Sequence, residues 1–280
     1  MTSILTNNGA MVALQTLQSI NNNLTDAQNQ ISTGKTIASA KDNSAVWAIS
    51  KVMESDVAGF EAVSDALALG EGTVDVAIAG VEQISDILND IKEKVVQATG
   101  ENVDHSKITN EITQLTSQIT QIISASQFNG TNLIEAATVD GTNANLTVLS
   151  SLDRGAGGSG ITAANITIAA QDFTTNLVLT DIDVSTAVLA ESSLANVEAH
   201  IQTVVNTAAT LGAAASRIED QQMFVSKLSN AMTAGIGALV DTDMEEASAR
   251  LKALQTQQQL GVQALSIANS APSTLQQLFR

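Results

Sequence analysis

The sequence predicts a mainly α protein: an elongated helical bundle whose N- and C-terminal helices pair as a coiled coil, with a small β-rich insertion in the middle. Three observations predict it. Apolar residues recur at steps of three and four at both ends of the 280-residue chain. A single proline, Pro272, permits long uninterrupted helices. From about Thr131 to Thr186 the composition turns instead to Thr, Asn, Gly and β-branched residues.

The first helical stretch carries Ala10, Leu17, Leu24 and Ile31 seven apart, with Ala13, Ile20 and Ala27 as the second row of the same stripe. The polar segment "STGKTIASAKDNSAVWAIS", containing Gly34, interrupts it and predicts a loop. Helical spacing resumes with Val52, Phe60, Val63 and Leu67, continues through Val74, Val81, Leu88 and Val95, and ends near Gly100. A further helix through Ile108, Ile112, Leu115, Ile119 and Ile122 stops before the turn dipeptide Asn129-Gly130.

In the middle, "NLTVLSSL", "NITIAA" and "NLVLTDIDV" read as short strands and hairpins, interrupted by "GAGGSG". Helix returns from about Ala187 to Phe279 in two long pieces. In the second, Met244, Ala247, Leu251, Leu254, Gln258, Gly261, Leu265 and Ala268 step by three and four without a miss. A helix from Asp243 to Asn269 would run about 40 Å. Thr242 and Glu245 are placed to form its capping box, with the following acids facing the positive end of the helix dipole.

Composition argues against most catalytic chemistry. Zero cysteines removes disulfides, thiolate catalysis and Cys-based metal sites together. Aromatic residues are 2% of the chain, with no Tyr and one Trp, so the usual large anchors of a deep core are scarce. A net charge of −17 disfavours nucleic acid and anionic membranes as partners. The N-terminal stretch has no basic region followed by an apolar core and a cleavage site, so no cleaved signal peptide is expected. No apolar run reads as long enough to span a bilayer, and no membrane insertion is expected.

Individual motifs weaken on inspection. "GAGGSG" (Gly155 to Gly160) matches a dinucleotide fingerprint, but a strand-like segment follows where that chemistry needs a helix N-terminus, so a hairpin loop is expected. "GKT" (Gly34 to Thr36) lacks the first glycine of a phosphate loop, since Asn29 stands there. Asp241 and Asp243 begin like a calcium loop, yet Glu246 and Lys252 occupy its glycine and its bidentate glutamate positions. His105 and His200 stand alone in the sequence, without carboxylate-rich spacing. Asn23, Asn129, Asn145 and Asn165 fall in Asn-X-Ser/Thr sequons, which a Thr- and Asn-rich chain produces by chance. No catalytic constellation, metal site or cofactor is expected, and the chain reads as a non-enzyme.

The terminal seams remain. Both are rich in Ala, Gly, Gln and Ser, which permit close approach of many helices. Neither has enough large side chains to bury its face alone, so each needs the other and further copies of the chain.

These residues carry a family resemblance. "NQISTGKTIASAKDNSAVWAIS" (Asn29 to Ser50) resembles the N-terminal signature of bacterial flagellins. "QFNGTNLI" (Gln127 to Ile134) is similar to the family's Gln-Phe-Asn-Gly turn. "LVDTDMEEASARLKALQTQQQLGVQALSIANSAPSTLQQLF" resembles the flagellin C-terminal helix almost throughout. The short middle, "SAKDNSAVWA" and "QTQQQLGVQALSIAN" are most similar to the compact flagellins of alphaproteobacteria. A hook–filament junction protein shares such terminal helices, and a cytoplasmic helical adaptor is the alternative from another class.

The resemblance implies a subunit that polymerises into an extracellular flagellar filament for swimming, exported by the flagellar type III route. It implies as partners further copies of the chain, the export apparatus, a flagellin chaperone, and hook-associated and cap proteins. Residues 1–40 and 240–280 would form the filament-core domain, 41–134 and 187–239 an inner helical domain, and 135–186 a small solvent-facing strand-rich domain. The implied core contacts are Leu17, Ile20, Leu24 and Ile31 from one end, and Leu251, Leu254, Leu265 and Leu278 from the other.

The family's segment for a vertebrate flagellin-sensing Toll-like receptor resembles Leu-x-Arg-x-Arg-Glu-Leu-x-x-Gln. It falls here on "LNDIKEKVVQ" (Leu88 to Gln97). Lys92 and Glu93 keep their character. Asp90 replaces an arginine and Lys94 an apolar leucine, and their spacing also predicts an ordinary i,i+4 ion pair.

Overall fold

A computed structural model describes residues 7–136, 138, 139, 143–155 and 160–278, without the side chains of 161 and 271–278. The described chain falls into two compact units, residues 1–55 with 231–280, and residues 56–230.

In the first unit, helix α1 spans Asn8–Thr33 and helix α6 spans Met244–Leu278. The Asn7 side chain caps α1 by accepting from the Ala10 N–H, and Gly34 closes it in the left-handed conformation (φ 70°) that glycine adopts without strain. The capping residue of α6 is Asp243, not the expected Thr242–Glu245 pair. The Asp243 carboxylate accepts from the N–H groups of Glu245 (2.9 Å) and Glu246 (3.2 Å). Thr242 is diverted, because its hydroxyl meets that of Thr36 at 2.8 Å and its N–H bonds the Gly34 carbonyl.

Helix α2 spans Ser44–Ala98 and helix α5 spans Ala187–Val240, and each contributes residues to both units. The loop ahead of α2 is pinned by its own side chains. Asp42 accepts from the N–H groups of Ala38 and Ser39 and from the Ser39 hydroxyl, and Asn43 caps the helix through Ala45 and Val46. Ser39 foremost, by its N–H and then its hydroxyl, with the Ala38 N–H, holds the Asp42 carboxyl below the usual aspartate range.

In the second unit, α3 (His105–Ala125) starts on an Asp104 cap and is tied to α2 by the Lys94–Glu111 ion pair. Strands β1 (Gln127–Phe128) and β2 (Thr131–Asn132) follow, joined by Asn129 and Gly130, both at positive φ (51° and 83°) as the Asn-Gly dipeptide predicts. Strands β3 (Asn145–Arg154) and β4 (Ile161–Ala169) form an antiparallel hairpin with an irregularity between Leu149 and Ser151. Residues 156–159 of the glycine-rich stretch lie outside the described residues; its ends sit where the hairpin turns, with the Gly155 N–H bonded to the Gly160 carbonyl.

The buried core comprises one face of α2, from Val63 and Leu67 to Ile84, Leu88 and Ile91, with Ile119, Ile134, Phe173, Leu211 and Ile218. Gly70 sets how closely the hairpin lies on α2: a Cβ there would come within 2.6 and 2.8 Å of the two Val148 methyls.

The expected third strand, "NLVLTDIDV", does not form. Its first residue, Asn176, ends the short helix α4 (Phe173–Asn176), and a 3₁₀ turn follows at Leu179–Asp181. Leu177, Ile182 and Val184 are buried as anchors, and side chains take over the backbone bonding that a strand partner would supply. The Ser193 hydroxyl accepts from the Asp183 N–H (2.9 Å) and donates to its carbonyl (2.8 Å).

Helix α5 also departs from expectation in hydropathy. It contains an 18-residue window averaging 1.2, long and apolar enough by composition to cross a bilayer. Its Ala-rich sequence raises the mean hydropathy without a continuous run of large apolar side chains.

Candidate functional site

The expected terminal seam exists within the first unit as an antiparallel pairing of α1 with α6. The Asn7 amide donates to the Ala268 carbonyl at 2.7 Å, the Gln258 amide donates to the Asn21 side-chain oxygen at 2.7 Å, and the Thr242 N–H reaches the Gly34 carbonyl at 2.9 Å. Gly261 lies opposite Leu17, whose Cδ1 would sit 3.0 Å from an added Cβ. A larger residue there would push the helices apart.

The seam is thinly covered. Ala27 is buried in α1, and Ala247 and Leu254 in α6. Leu17, Ile20, Leu24 and Ile31, and opposite them Leu251 and Leu265, are only half-buried. Leu278 lies outside the residues whose side chains are described, and Met244, the first of the sequence stripe, is 45% exposed. Beside the seam runs a second set of apolar residues that the sequence reading missed. Met11, Val12 and Leu14 on α1, and Leu260, Val262 and Ile267 on α6, are exposed. The available signal was that they are apolar in helices otherwise filled with Asn, Gln, Ser and Thr.

Charge follows the same division. The segments 1–55 and 231–280 hold seven acidic and six basic residues, whereas 56–230 holds twenty-two acidic and six basic. The unit that holds the α1–α6 seam is therefore nearly neutral, and the excess negative charge resides on the other, which also exposes apolar side chains such as Val188 and Phe224.

The stretch Leu88 to Gln97 lies on α2, with Asp90 and Glu93 exposed and Lys92 and Lys94 partly covered. The expected Asp90–Lys94 ion pair is not what forms. Lys94 pairs with Glu111 of α3 at 2.7 Å, which brings a carboxylate to contact distance and holds the Lys94 ammonium above the usual lysine range. Lys92 pairs with Glu198 of α5 at 2.6 Å.

Neither histidine is isolated. His200, buried on α5, meets an Asp181 carboxylate oxygen at 3.0 Å, and the His105 Nδ1 meets the Val184 carbonyl at 2.9 Å. The two imidazoles hold the connector before α5, a role invisible in linear spacing. Among the described residues no three His, Cys, Asp or Glu side chains gather as a metal-binding group.

A paired set of terminal helices with an unfinished apolar surface defines a self-assembling structural protein. Comparison with known proteins gives the family. The family model described as "Bacterial flagellin N-terminal helical region" matches residues 4–138, and "Bacterial flagellin C-terminal helical region" matches residues 194–279. Flagellin of Brucella melitensis is 42% identical, with 100% of both chains covered. Flagellin FljK of Caulobacter vibrioides is 40% identical over 99% of this chain and 98% of its own, and Flagellin C of Rhizobium meliloti is 37% identical over the whole of both. Among solved structures, a protein assigned as flagellar hook-associated from Vibrio parahaemolyticus is 16% identical, covers 71% of this chain and 100% of its own, and superposes with a TM-score of 0.53, a likeness of fold. The chain belongs to the bacterial flagellin family, in which it is a structural subunit of the flagellar filament.

Proposed function

We propose that the α1–α6 pair is the polymerising element, completed only when neighbouring copies cover it. The observation that carries this is the half-buried seam of Leu17, Ile20, Leu24, Ile31, Leu251 and Leu265 beside exposed Met11, Val12 and Ile267 in a nearly neutral unit. Apolar area removed from water stabilises by about 25 cal/mol per Å², so a stripe left wet on each subunit gains that energy at each new contact. The near absence of net charge lets copies approach, and the anionic unit keeps the polymer in solution.

On this reading residues 1–40 and 240–280 form the filament core, 41–134 and 187–239 an inner helical layer, and 135–186 a solvent-facing domain. Leu278 joins the core contacts, and Asp90, Lys92, Glu93 and Lys94 form the receptor-facing stretch. The chain performs no catalysis; it leaves the cell without a cleaved signal peptide, through the flagellar export apparatus and with a chaperone covering its terminal helices. Hook-associated and cap proteins meet it at the two filament ends.

Negative-stain microscopy of the purified protein at high concentration tests this reading. Long helical fibres are expected from the wild type, and soluble monomer from Leu265→Asp, because an unpaired carboxylate in an apolar contact costs several kcal/mol at every subunit. Normal fibres from Leu265→Asp would remove that residue from the subunit contact, and a wild type that stays monomeric would overturn the reading.

A further inference from the structure

Most basic side chains of the 56–230 unit are already paired: Lys92 with Glu198, Lys94 with Glu111, Lys107 with Asp104, and Arg154 with Asp56. Arg217 and Lys227 form no ion pair among the described residues, and both are exposed on α5. Spacings of three and four place Arg217, Asp220, Phe224 and Lys227 on one face of that helix. Phe224 is 56% exposed and its neighbour Met223 49%, an unusual position for one of only five phenylalanines. Next to them Ser64, Gln222, Met223, Ser226 and Lys227 line a shallow depression of about 430 Å³. Asp220 shares the face without pairing with either cation.

The same unit carries the opposite pattern elsewhere. On α2, Glu61, Asp65, Asp75, Glu82, Asp86 and Glu93 are all exposed and none makes an ion pair among the described residues. Their spacing puts them in one stripe opposite the buried face of Val63, Leu67, Val74, Val81 and Leu88. Arg217 and Lys227 are ten residues apart, about 15 Å along a helix, and Asp75 and Asp86 are eleven apart, about 16 Å. The two cations therefore match the separation of two carboxylates.

We propose that the Arg217–Phe224–Lys227 face of one copy docks on the acidic α2 stripe of a second copy, near Asp75 and Asp86. The contact joins two different surfaces, and a head-to-tail contact of that kind generates an open helical polymer rather than a closed dimer. Phe224 supplies the apolar anchor, and the charges fix register and exclude like-charged approaches. The partner is a second copy because the chain carries both halves of the complementarity. The inference rests on the filament reading and adds to it a contact outside the terminal helices.

A charge-swap experiment tests it. Arg217→Glu/Lys227→Glu makes both surfaces negative, and Asp75→Lys/Asp86→Lys makes both positive. All four positions are exposed, so circular dichroism and monomer melting should match the wild type. Each variant alone should show a critical concentration for polymerisation raised about 10-fold or more, and Phe224→Ala a similar rise. An equimolar mixture of the two charge variants should pellet as a copolymer, with the difference narrowing at high salt as the attraction is screened. Polymerisation of Arg217→Glu/Lys227→Glu at the wild-type concentration would overturn the contact while leaving the filament reading intact, and would point to a different partner for the face. A mixture that stays soluble would overturn the pairing with the α2 stripe. Failure of the wild type itself to polymerise would be the distinct failure of the filament reading.

Discussion

If the terminal pair is completed only in the polymer, damage to its seam should register in assembly beyond what it costs the α1–α6 pairing of the free chain. Leu254 is the sharpest probe, being 7% exposed on the α6 seam. Leu254→Ala removes a buried isopropyl group and leaves a partly collapsed cavity, at a cost of about 2–3 kcal/mol, the lower part of the range for such truncations because the half-buried residues beside it can close on the site. Carried into a subunit-addition equilibrium, that raises the critical concentration about 30- to 150-fold. Sedimentation of polymer from a dilution series reads it directly. The control is Ile84→Ala, at a fully buried α2 position in the other unit. It should lower the monomer melting temperature by about 2–4 °C for each kcal/mol lost, with a smaller effect on the critical concentration. The reasoning is refuted if Leu254→Ala lowers the melting temperature of the monomer as Ile84→Ala does while its critical concentration stays at the wild-type value.

Three other outcomes follow from particular contacts. Gly70→Ala places a methyl against Val148 and should destabilise the monomer by up to about 2 kcal/mol, the helix-propensity gain offsetting part of the clash; Gly70→Ala/Val148→Ala should recover most of that loss, and strictly additive urea-melt values would show that the two residues do not share the space. The Asp42 carboxyl is held below its usual range, so its stabilisation of the 38–42 loop is complete above the unfolded aspartate value of about 4 and is lost as pH falls through the lower folded value; amide protection at Ala38 and Ser39, relative to the free-chain rate at each pH, should fall only in strong acid in the wild type and be reduced at every pH in Asp42→Ala. We propose that Asp90 and Lys94 weaken activation of the vertebrate receptor about 30-fold or more, since a hot-spot arginine is worth about 2 kcal/mol, with partial recovery in Asp90→Arg/Lys94→Leu; equal potency with an enterobacterial flagellin in a reporter-cell dose response would refute it.

What the sequence made legible was whatever depends on local repetition. The 3-and-4 spacing of Ala10 to Ile31 and of Ala247 to Ala268 specifies which face of each helix is covered, and Asn129-Gly130 specifies a turn because both residues tolerate positive φ. Reading failed where a tertiary partner decides. "NLVLTDIDV" alternates like a strand, but no neighbouring strand pairs with it, and Ser193 takes the backbone bonds of Asp183 instead. Asp243 and Thr242 are both competent caps, and the contact with Thr36, more than two hundred residues away, selects the aspartate. Lys94 had an acid at the right helical spacing, but the carboxylate of Glu111 on α3 lies closer at hand.

The most functional property of the chain lay beyond linear reading for a related reason. A net charge of −17 says only that the protein is acidic. Once the two ends are known to form one unit, the same charges divide into a nearly neutral unit that holds the terminal seam and a strongly anionic one. Each half alone would fail at assembly. A neutral apolar surface throughout would associate without register, and a uniform charge of that size would keep copies apart. On the proposed reading, separation of the two along one chain lets the terminal pairs meet through apolar contacts while the anionic unit admits another copy only where a basic face meets its acidic stripe, which favours a polymer that grows in one way and then stays dispersed.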